Sequence, residues 1–100
     1  LRRHKPLMVT VGDLKLNEQH KSILLGEREL VLSPKEYQLM VLLIRYSGET
    51  VTKEMIIDEL WSASESISEG SIRVYITRLK QEIGEDRILN IRGLGYRLVS

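Results

Sequence analysis

Residues 68–83, S-E-G-S-I-R-V-Y-I-T-R-L-K-Q-E-I, and residues 88–99, I-L-N-I-R-G-L-G-Y-R-L-V, decide the fold of this chain. The first segment has apolar residues at helical spacing, which predicts a helix with one narrow apolar stripe and a polar remainder. The stripe consists of Ile72, Ile76, Leu79 and Ile83. In the second segment two β-prone runs flank the G-L-G turn at 93–95. This pattern predicts a tight hairpin with Arg92 and Arg97 on either side of the turn.

The first half of the chain predicts a small sheet followed by a helix. Short β-prone runs are separated by turn residues, a spacing that favours an antiparallel meander of four strands. These runs lie at 8–11, 14–16, 22–25 and 29–32. Ser33, Pro34 and Glu36 then give a complete helix start, with a capping box between Ser33 and Glu36. We expect this helix to stop near 47–48.

Two more helices follow. Thr52 caps a helix that runs to about Trp61 and should bury Ile56, Ile57 and Leu60. Residues 62–66 are small and polar and predict a loop, after which Ser68, or alternatively Ser66, caps the third helix. The whole pattern predicts an α+β winged helix-turn-helix with an N-terminal four-stranded antiparallel sheet, three helices and a C-terminal β-hairpin wing. In that arrangement a helix enters the major groove of DNA and the hairpin reaches an adjacent groove.

Composition limits the class of protein. One hundred residues with 42% hydrophobic content make one domain. The chain has no cysteine, and its longest apolar run, at 39–44, is far shorter than the roughly 20 residues of a membrane span, so we expect a cytoplasmic protein without a membrane segment. The basic stretch 1–6 ends in proline and resembles a linker. We therefore expect residues 1–6 to be the remnant of an interdomain linker and 7–100 to be the domain.

Charge is unevenly distributed along the sequence. Residues 27–69 contain four Lys/Arg and nine Asp/Glu, whereas residues 70–100 contain six and three. This separation favours approach of a polyanion to one face only. The two histidines, His4 and His20, lie in a linker and a turn, and no nucleophile or metal-ligand motif occurs. We expect no enzymatic activity, no catalytic residue, no metal and no cofactor.

The motifs together resemble the OmpR/PhoB-type effector domain of bacterial two-component response regulators. The resemblance is carried by L-S-P-K-E-Y-Q-L-M, V-T-K-E-M-I-I-D-E-L-W, the third-helix segment and I-R-G-L-G-Y-R-L, and it spans about residues 8–99. It implies a transcription regulator whose phospho-receiver domain, the target of a cognate sensor kinase, precedes this domain. It also implies binding to tandem half-sites on double-stranded DNA through head-to-tail packing with a second copy of the domain.

The helical wheel selects candidates for reading DNA. The face opposite the apolar stripe carries Gly70, Val74, Thr77, Arg78 and Gln81, with Ser71 beside it. Arg78 is the strongest candidate for a base contact, because a guanidinium can donate to both O6 and N7 of guanine. A phosphate contact or an ion pair with Glu82 is the alternative. Val74 can meet a thymine methyl, and Ser71 and Thr77 can bond a base edge or a phosphate.

Further candidates contact the DNA backbone. Tyr75 flanks the reading face and either reaches a phosphate or packs against the wing. Lys80 is a candidate phosphate contact. The resemblance implies phosphate contacts for Lys53, Trp61 and Tyr96, of which Trp61 and Tyr96 also fill the core, and a minor-groove contact for Arg92.

The resemblance also bears on partners and affinity. It implies that the loop Ser62, Ala63, Ser64, Glu65 and Ser66 contacts RNA polymerase. Many relatives carry basic residues where this chain has Gly70 and Thr77, so we expect weaker DNA binding and a shallower salt dependence than in those relatives. The alternative function is a winged helix that binds protein and does not read DNA.

Overall fold

The structure, a computed structural model, describes residues 8–61 and 69–99 of the chain. The predicted linker at 1–6, the loop at 62–66 and the cap at Ser66 or Ser68 lie outside these residues. The first sheet is the predicted antiparallel meander. Its strands, in order, are β1 (Met8–Val11), β2 (Leu14–Asn17), β3 (Ser22–Leu25) and β4 (Arg28–Glu29).

The fourth strand is shorter than the sequence predicts. We expected it at 29–32, but it ends at Glu29. The Leu30 N–H still donates to the Ile23 carbonyl at 2.8 Å and the Leu30 side chain is buried, whereas Val31 is 82% exposed. The chain leaves the sheet after Leu30 and runs to Ser33, the N-cap of the first helix.

The first helix, α1 (Pro34–Arg45), begins as predicted. The Ser33 hydroxyl accepts from the Glu36 N–H at 3.2 Å, and Glu36 Oε1 accepts from the Ser33 N–H at 2.9 Å. These reciprocal bonds satisfy N–H groups that the helix itself cannot pair. The helix ends at Arg45 with Tyr46 as its C-cap, and two residues later Gly48 has a φ of 84°, which suits glycine.

A strand absent from the sequence prediction follows α1. β5 (Thr50–Thr52) pairs antiparallel with the last strand, so the terminal hairpin is part of a three-stranded sheet in the order β5-β7-β6. The strand is only three residues long, and Thr52 is both its last residue and the predicted cap of the next helix. Its strand partner lies about 45 residues later, at Arg97 and its neighbours.

The remaining elements complete the predicted order. α2 (Lys53–Leu60) is followed by α3 (Glu69–Ile83), a single 3₁₀ turn, β6 (Ile88–Ile91) and β7 (Gly95–Leu98). In α2, Ile56 and Leu60 are buried as predicted, but Ile57 is only half-buried. On the helical wheel Ile57 lies about 80° from the centre of the face that Ile56 and Leu60 form. One continuous core joins both sheets to the three helices. None of the helices within residues 8–61 and 69–99 is long and apolar enough to cross a membrane.

Candidate nucleic-acid interface

The outward side of α3 is open to solvent, as its periodicity predicts. All four stripe residues are at most 5% exposed. The opposite side is exposed or half-buried and carries Gly70, Ser71, Val74, Thr77, Arg78 and Gln81. Among the described residues of α3, Val74 is the large hydrophobic side chain left exposed, at 59%. The wheel candidates therefore share one accessible face, and an apolar group such as a thymine methyl can meet Val74.

Arg78 forms an ion pair, but not with Glu82, the partner considered as the alternative to a base contact. Its Nε lies 3.5 Å from Glu36 Oε2 in α1, and no ion pair with Glu82 is present among the described residues. The Arg78 side chain is 51% exposed, whereas that of Glu36 is 8% exposed. The contact is therefore made at Nε, while about half of the Arg78 side-chain surface stays exposed.

Glu82, the alternative partner considered for Arg78, is occupied elsewhere. Arg28 in β4 reaches the end of α3, where its Nη1 bonds Glu82 Oε1 at 3.3 Å and its Nη2 donates to the Glu82 carbonyl at 3.0 Å. A cation beside the last carbonyls of a helix is favourable because of the helix dipole. The pair joins the N-terminal sheet to the end of α3.

An aromatic contact joins the end of α2 to α3. The rings of Trp61 and Tyr75 stack with centroids 6.2 Å apart and an interplanar angle of 28°. Lys35 Nζ lies 5.3 Å from the centroid of a Trp61 ring and donates to the Leu60 carbonyl at the end of α2. For Tyr75 we considered a phosphate contact or packing against the wing, and the aromatic ring contact it makes among the described residues is with Trp61. Both aromatic residues are half-buried, so part of each remains accessible.

The hairpin is attached to the start of α2. Gly93 has a φ of 75° in the turn, and the Leu94 carbonyl accepts from the Lys53 N–H at 3.1 Å. The candidates Lys53 and Arg92 therefore lie at the same end of the domain, and the Arg92 side chain is exposed. Tyr96 is only 6% exposed and belongs to the core, which leaves little of its surface for a phosphate.

One cation of α3 was missed by the sequence analysis. Arg73 is exposed and forms no ion pair with another described residue. On the helical wheel it lies about 20° from Lys80, two turns earlier on the same flank. Its charge and its position outside the apolar stripe were visible in the sequence. It lies about 90° from the centre of that stripe, however, and therefore falls outside the opposite face from which the candidates were taken. Arg73 and Lys80 together form a cationic flank.

The comparison with known families assigns the chain to a family. Residues 27–98 match the family described as the C-terminal domain of transcriptional regulatory proteins. The chain belongs to this family. Among its relatives, the transcriptional regulatory protein BasR of Escherichia coli strain K12 is 34% identical over 103 residues, covering 100% of this chain and 46% of BasR.

Two solved structures extend the comparison. DrrB of Thermotoga maritima, an OmpR/PhoB homologue, superposes with a TM-score of 0.83 at 25% identity, over 96% of this chain and 46% of DrrB. The DNA-binding domain of CpxR from Escherichia coli superposes with a TM-score of 0.81 at 25% identity, over 96% of this chain and 98% of that domain. The chain thus spans less than half the length of BasR and DrrB. The resemblance to OmpR/PhoB-type effector domains and the predicted winged-helix fold are confirmed. The family is one of DNA-binding transcription regulators and not of enzymes.

Proposed function

We propose that this domain binds duplex DNA sequence-specifically, with α3 in the major groove and the β6–β7 hairpin in the adjacent minor groove. The observation that carries the proposal is the accessible outward face of α3, which combines a guanidinium, hydroxyl groups and an apolar side chain. These are the groups that distinguish base pairs by their edges in the major groove. Membership in a family of DNA-binding regulators supports the proposal.

Each candidate has a role in this proposal. Base contacts are assigned to Ser71, Val74, Thr77 and Arg78. Phosphate contacts are assigned to Lys53, Trp61, Tyr75, Lys80 and the exposed part of Tyr96, and Arg73 is added because it shares the flank of Lys80. Arg92 is assigned to the minor groove, where an arginine responds to groove width. Gly70 and Thr77 are neutral and supply no cationic contact, and in this proposal Arg73 supplies one in their place.

The regulatory context is also a proposal. Two copies of the domain bind direct-repeat half-sites about one helical turn apart, packed head to tail. A receiver domain that precedes this domain and accepts a phosphoryl group from a sensor kinase controls the pairing. The proposal includes a cytoplasmic site of action, because bacterial DNA and the kinase's phosphoryl donor are found there.

Selection from random duplex DNA at two salt concentrations tests the proposal. We expect enriched sequences with two half-sites spaced by about 10 base pairs and an affinity that falls with salt, because bound phosphates release counterions. If the selected sequences lack half-site periodicity and dinucleotide-shuffled duplexes compete equally well, sequence-specific reading is wrong. A winged helix that binds only protein predicts this second outcome.

The loop at 62–66 is proposed to contact RNA polymerase. The loop lies outside the described residues, and its role rests on the family resemblance. Glu65→Lys should leave DNA affinity within about twofold, with any change towards tighter binding because of the added charge. Activated transcription in a reconstituted assay should fall. Unchanged transcription at saturating promoter occupancy would rule out this role for Glu65.

A further inference from the structure

Glu36 is the charged residue that the described part of the chain buries. It is 6% exposed, and both oxygens of its carboxylate are engaged. Oε1 accepts from the Ser33 N–H at 2.9 Å, and Oε2 faces Arg78 Nε at 3.5 Å. A charge removed from water is unfavourable unless it is paired and hydrogen-bonded, so the carboxylate has a strong preference for this one arrangement.

This arrangement restricts Arg78, the side chain to which the proposed function assigns a base contact. The capping box places Glu36 in the first turn of α1, and its Oε2 forms an ion pair with the guanidinium of Arg78 on α3. The pairing is made through Nε, the nitrogen nearest the aliphatic stem. A pairing through Nε does not require the two terminal nitrogens of Arg78. Two parallel N–H donors are what guanine O6 and N7 require.

We propose that Glu36 is a positioning residue for base reading: it orients the Arg78 guanidinium before DNA arrives and thereby sets the preference at the base pair that Arg78 reads. The inference rests on the proposed function, since it needs Arg78 in the major groove. A long arginine side chain loses rotamer freedom when it binds, and a partner that restricts it beforehand reduces that loss for the correct base pair. Glu36 does not touch DNA in this account.

The proposal has an electrostatic signature that a purely structural role lacks. A carboxylate near the interface repels every duplex, whatever its sequence. Removing its charge should leave non-specific affinity unchanged or increase it. Affinity for the selected site should fall because Arg78 is no longer oriented. The ratio of specific to non-specific affinity therefore falls, whereas loss of folded protein would lower both affinities by the same factor and leave their ratio unchanged.

Glu36→Gln is the test variant, because Gln keeps the size of the side chain and an oxygen that can accept from Ser33. Kd is measured for the selected duplex, for the duplex altered at the base pair read by Arg78, and for shuffled DNA, on the 100-residue chain at two salt concentrations. We expect discrimination at that base pair to fall about two- to tenfold, the change that corresponds to immobilising one flexible side chain. The salt dependence should not become weaker.

Two further variants separate positioning from stability. Ser33→Ala removes the hydroxyl of the same capping box but leaves the Ser33 N–H and the Arg78 pair in place. It should lower the urea midpoint without changing discrimination. Glu36→Asp keeps the charge but withdraws it from Arg78. It should lower discrimination while leaving non-specific affinity unchanged, and it provides the test if Glu36→Gln does not fold.

Coupling to Arg78 completes the experiment. In an Arg78→Ala background, Glu36→Gln should have no further effect on discrimination, because the group it orients is gone. Full discrimination in folded Glu36→Gln or Glu36→Asp, or equal losses for specific and shuffled DNA, would overturn the positioning role while leaving the proposed function intact. Absence of discrimination in the unaltered chain would instead overturn the proposed function itself.

Discussion

Replacing Gly95 with alanine should strongly destabilise the domain, because β5 and β7 approach each other too closely at this position for a side chain. A Cβ on Gly95 would lie 1.9 Å from the Val51 carbonyl oxygen and 2.8 Å from the Thr52 Cα. Both are backbone atoms, so no rotation of a side chain can relieve the overlap. Gly95 does not have a positive φ, and space alone explains the need for glycine here.

The size of the effect follows from the contacts that must move. Ordinary van der Waals contact begins at 3.4 Å, so the strands would have to separate by about 1.5 Å, the difference between 3.4 and 1.9 Å. Separation weakens the pairing of all three β5 residues and the bond from the Lys53 N–H to the Leu94 carbonyl. Overpacking costs about 1–3 kcal/mol and each lost hydrogen bond about 1 kcal/mol. We expect a loss of about 3 kcal/mol in the free energy of unfolding.

Urea unfolding monitored by Trp61 fluorescence and far-UV circular dichroism measures this loss in the free energy of unfolding, and thermal unfolding gives the corresponding change in melting temperature. A change of about 3 kcal/mol should lower the melting temperature by about 12–24 °C in a domain of this size. Gly93→Ala is the matched control in the same hairpin, because Gly93 has a φ of 75° but no atom within 4 Å of the added Cβ. It should lose only about 1–2 kcal/mol through backbone strain.

The comparison of the two alanine variants decides whether the reasoning holds. The Gly95 variant should also bind DNA more weakly when folded, because the hairpin is displaced from the start of α2. If Gly95→Ala is no less stable than Gly93→Ala, the close approach of β5 and β7 does not limit residue 95, and the explanation is wrong.

Further predictions concern the interface and one titrating group. Arg78→Ala should relax the preference at one base pair and weaken binding to the best site by about 1–3 kcal/mol. Lys80→Ala should weaken binding to all duplexes similarly and lower the slope of log Kd against log salt concentration by about one unit. The reverse pattern would mean that the two roles are exchanged. Arg73→Ala should behave like Lys80→Ala, and unchanged affinity for shuffled DNA would remove it from the phosphate contacts. Burial, with a contribution from Glu18 and an opposing one from Arg45, raises the pKa of Tyr37 above its ordinary value of 10.0. The folded state therefore holds this proton more tightly than the unfolded chain, and the stabilisation is complete below pH 10 and lost as pH rises through the raised pKa. Tyr37→Phe should remove this alkaline loss, and parallel slopes for both proteins in urea unfolding at pH 9 to 11 would contradict the assignment.

The sequence by itself determined the elements whose signals are local. The capping box of Ser33 and Glu36 and the stripe of α3 depend on residues three or four positions apart, and these spacings are fixed by helix geometry. The hairpin follows from two β-prone runs and a glycine turn. For the same reason the outward face of α3, and most of the candidate site with it, could be predicted from periodicity alone.

Only the tertiary structure decided the pairings between distant residues. β5 has three residues and no pattern of its own, and it exists because β7 offers a partner. Glu82 lies four residues from Arg78, as an intrahelical pair requires, yet Arg28 binds it from 54 residues away. Arg78 binds Glu36 instead, which the sequence marks only as a capping residue. A charged side chain shows its sign in the sequence, but the packing of elements determines which opposite charge it meets and whether water is excluded from the pair.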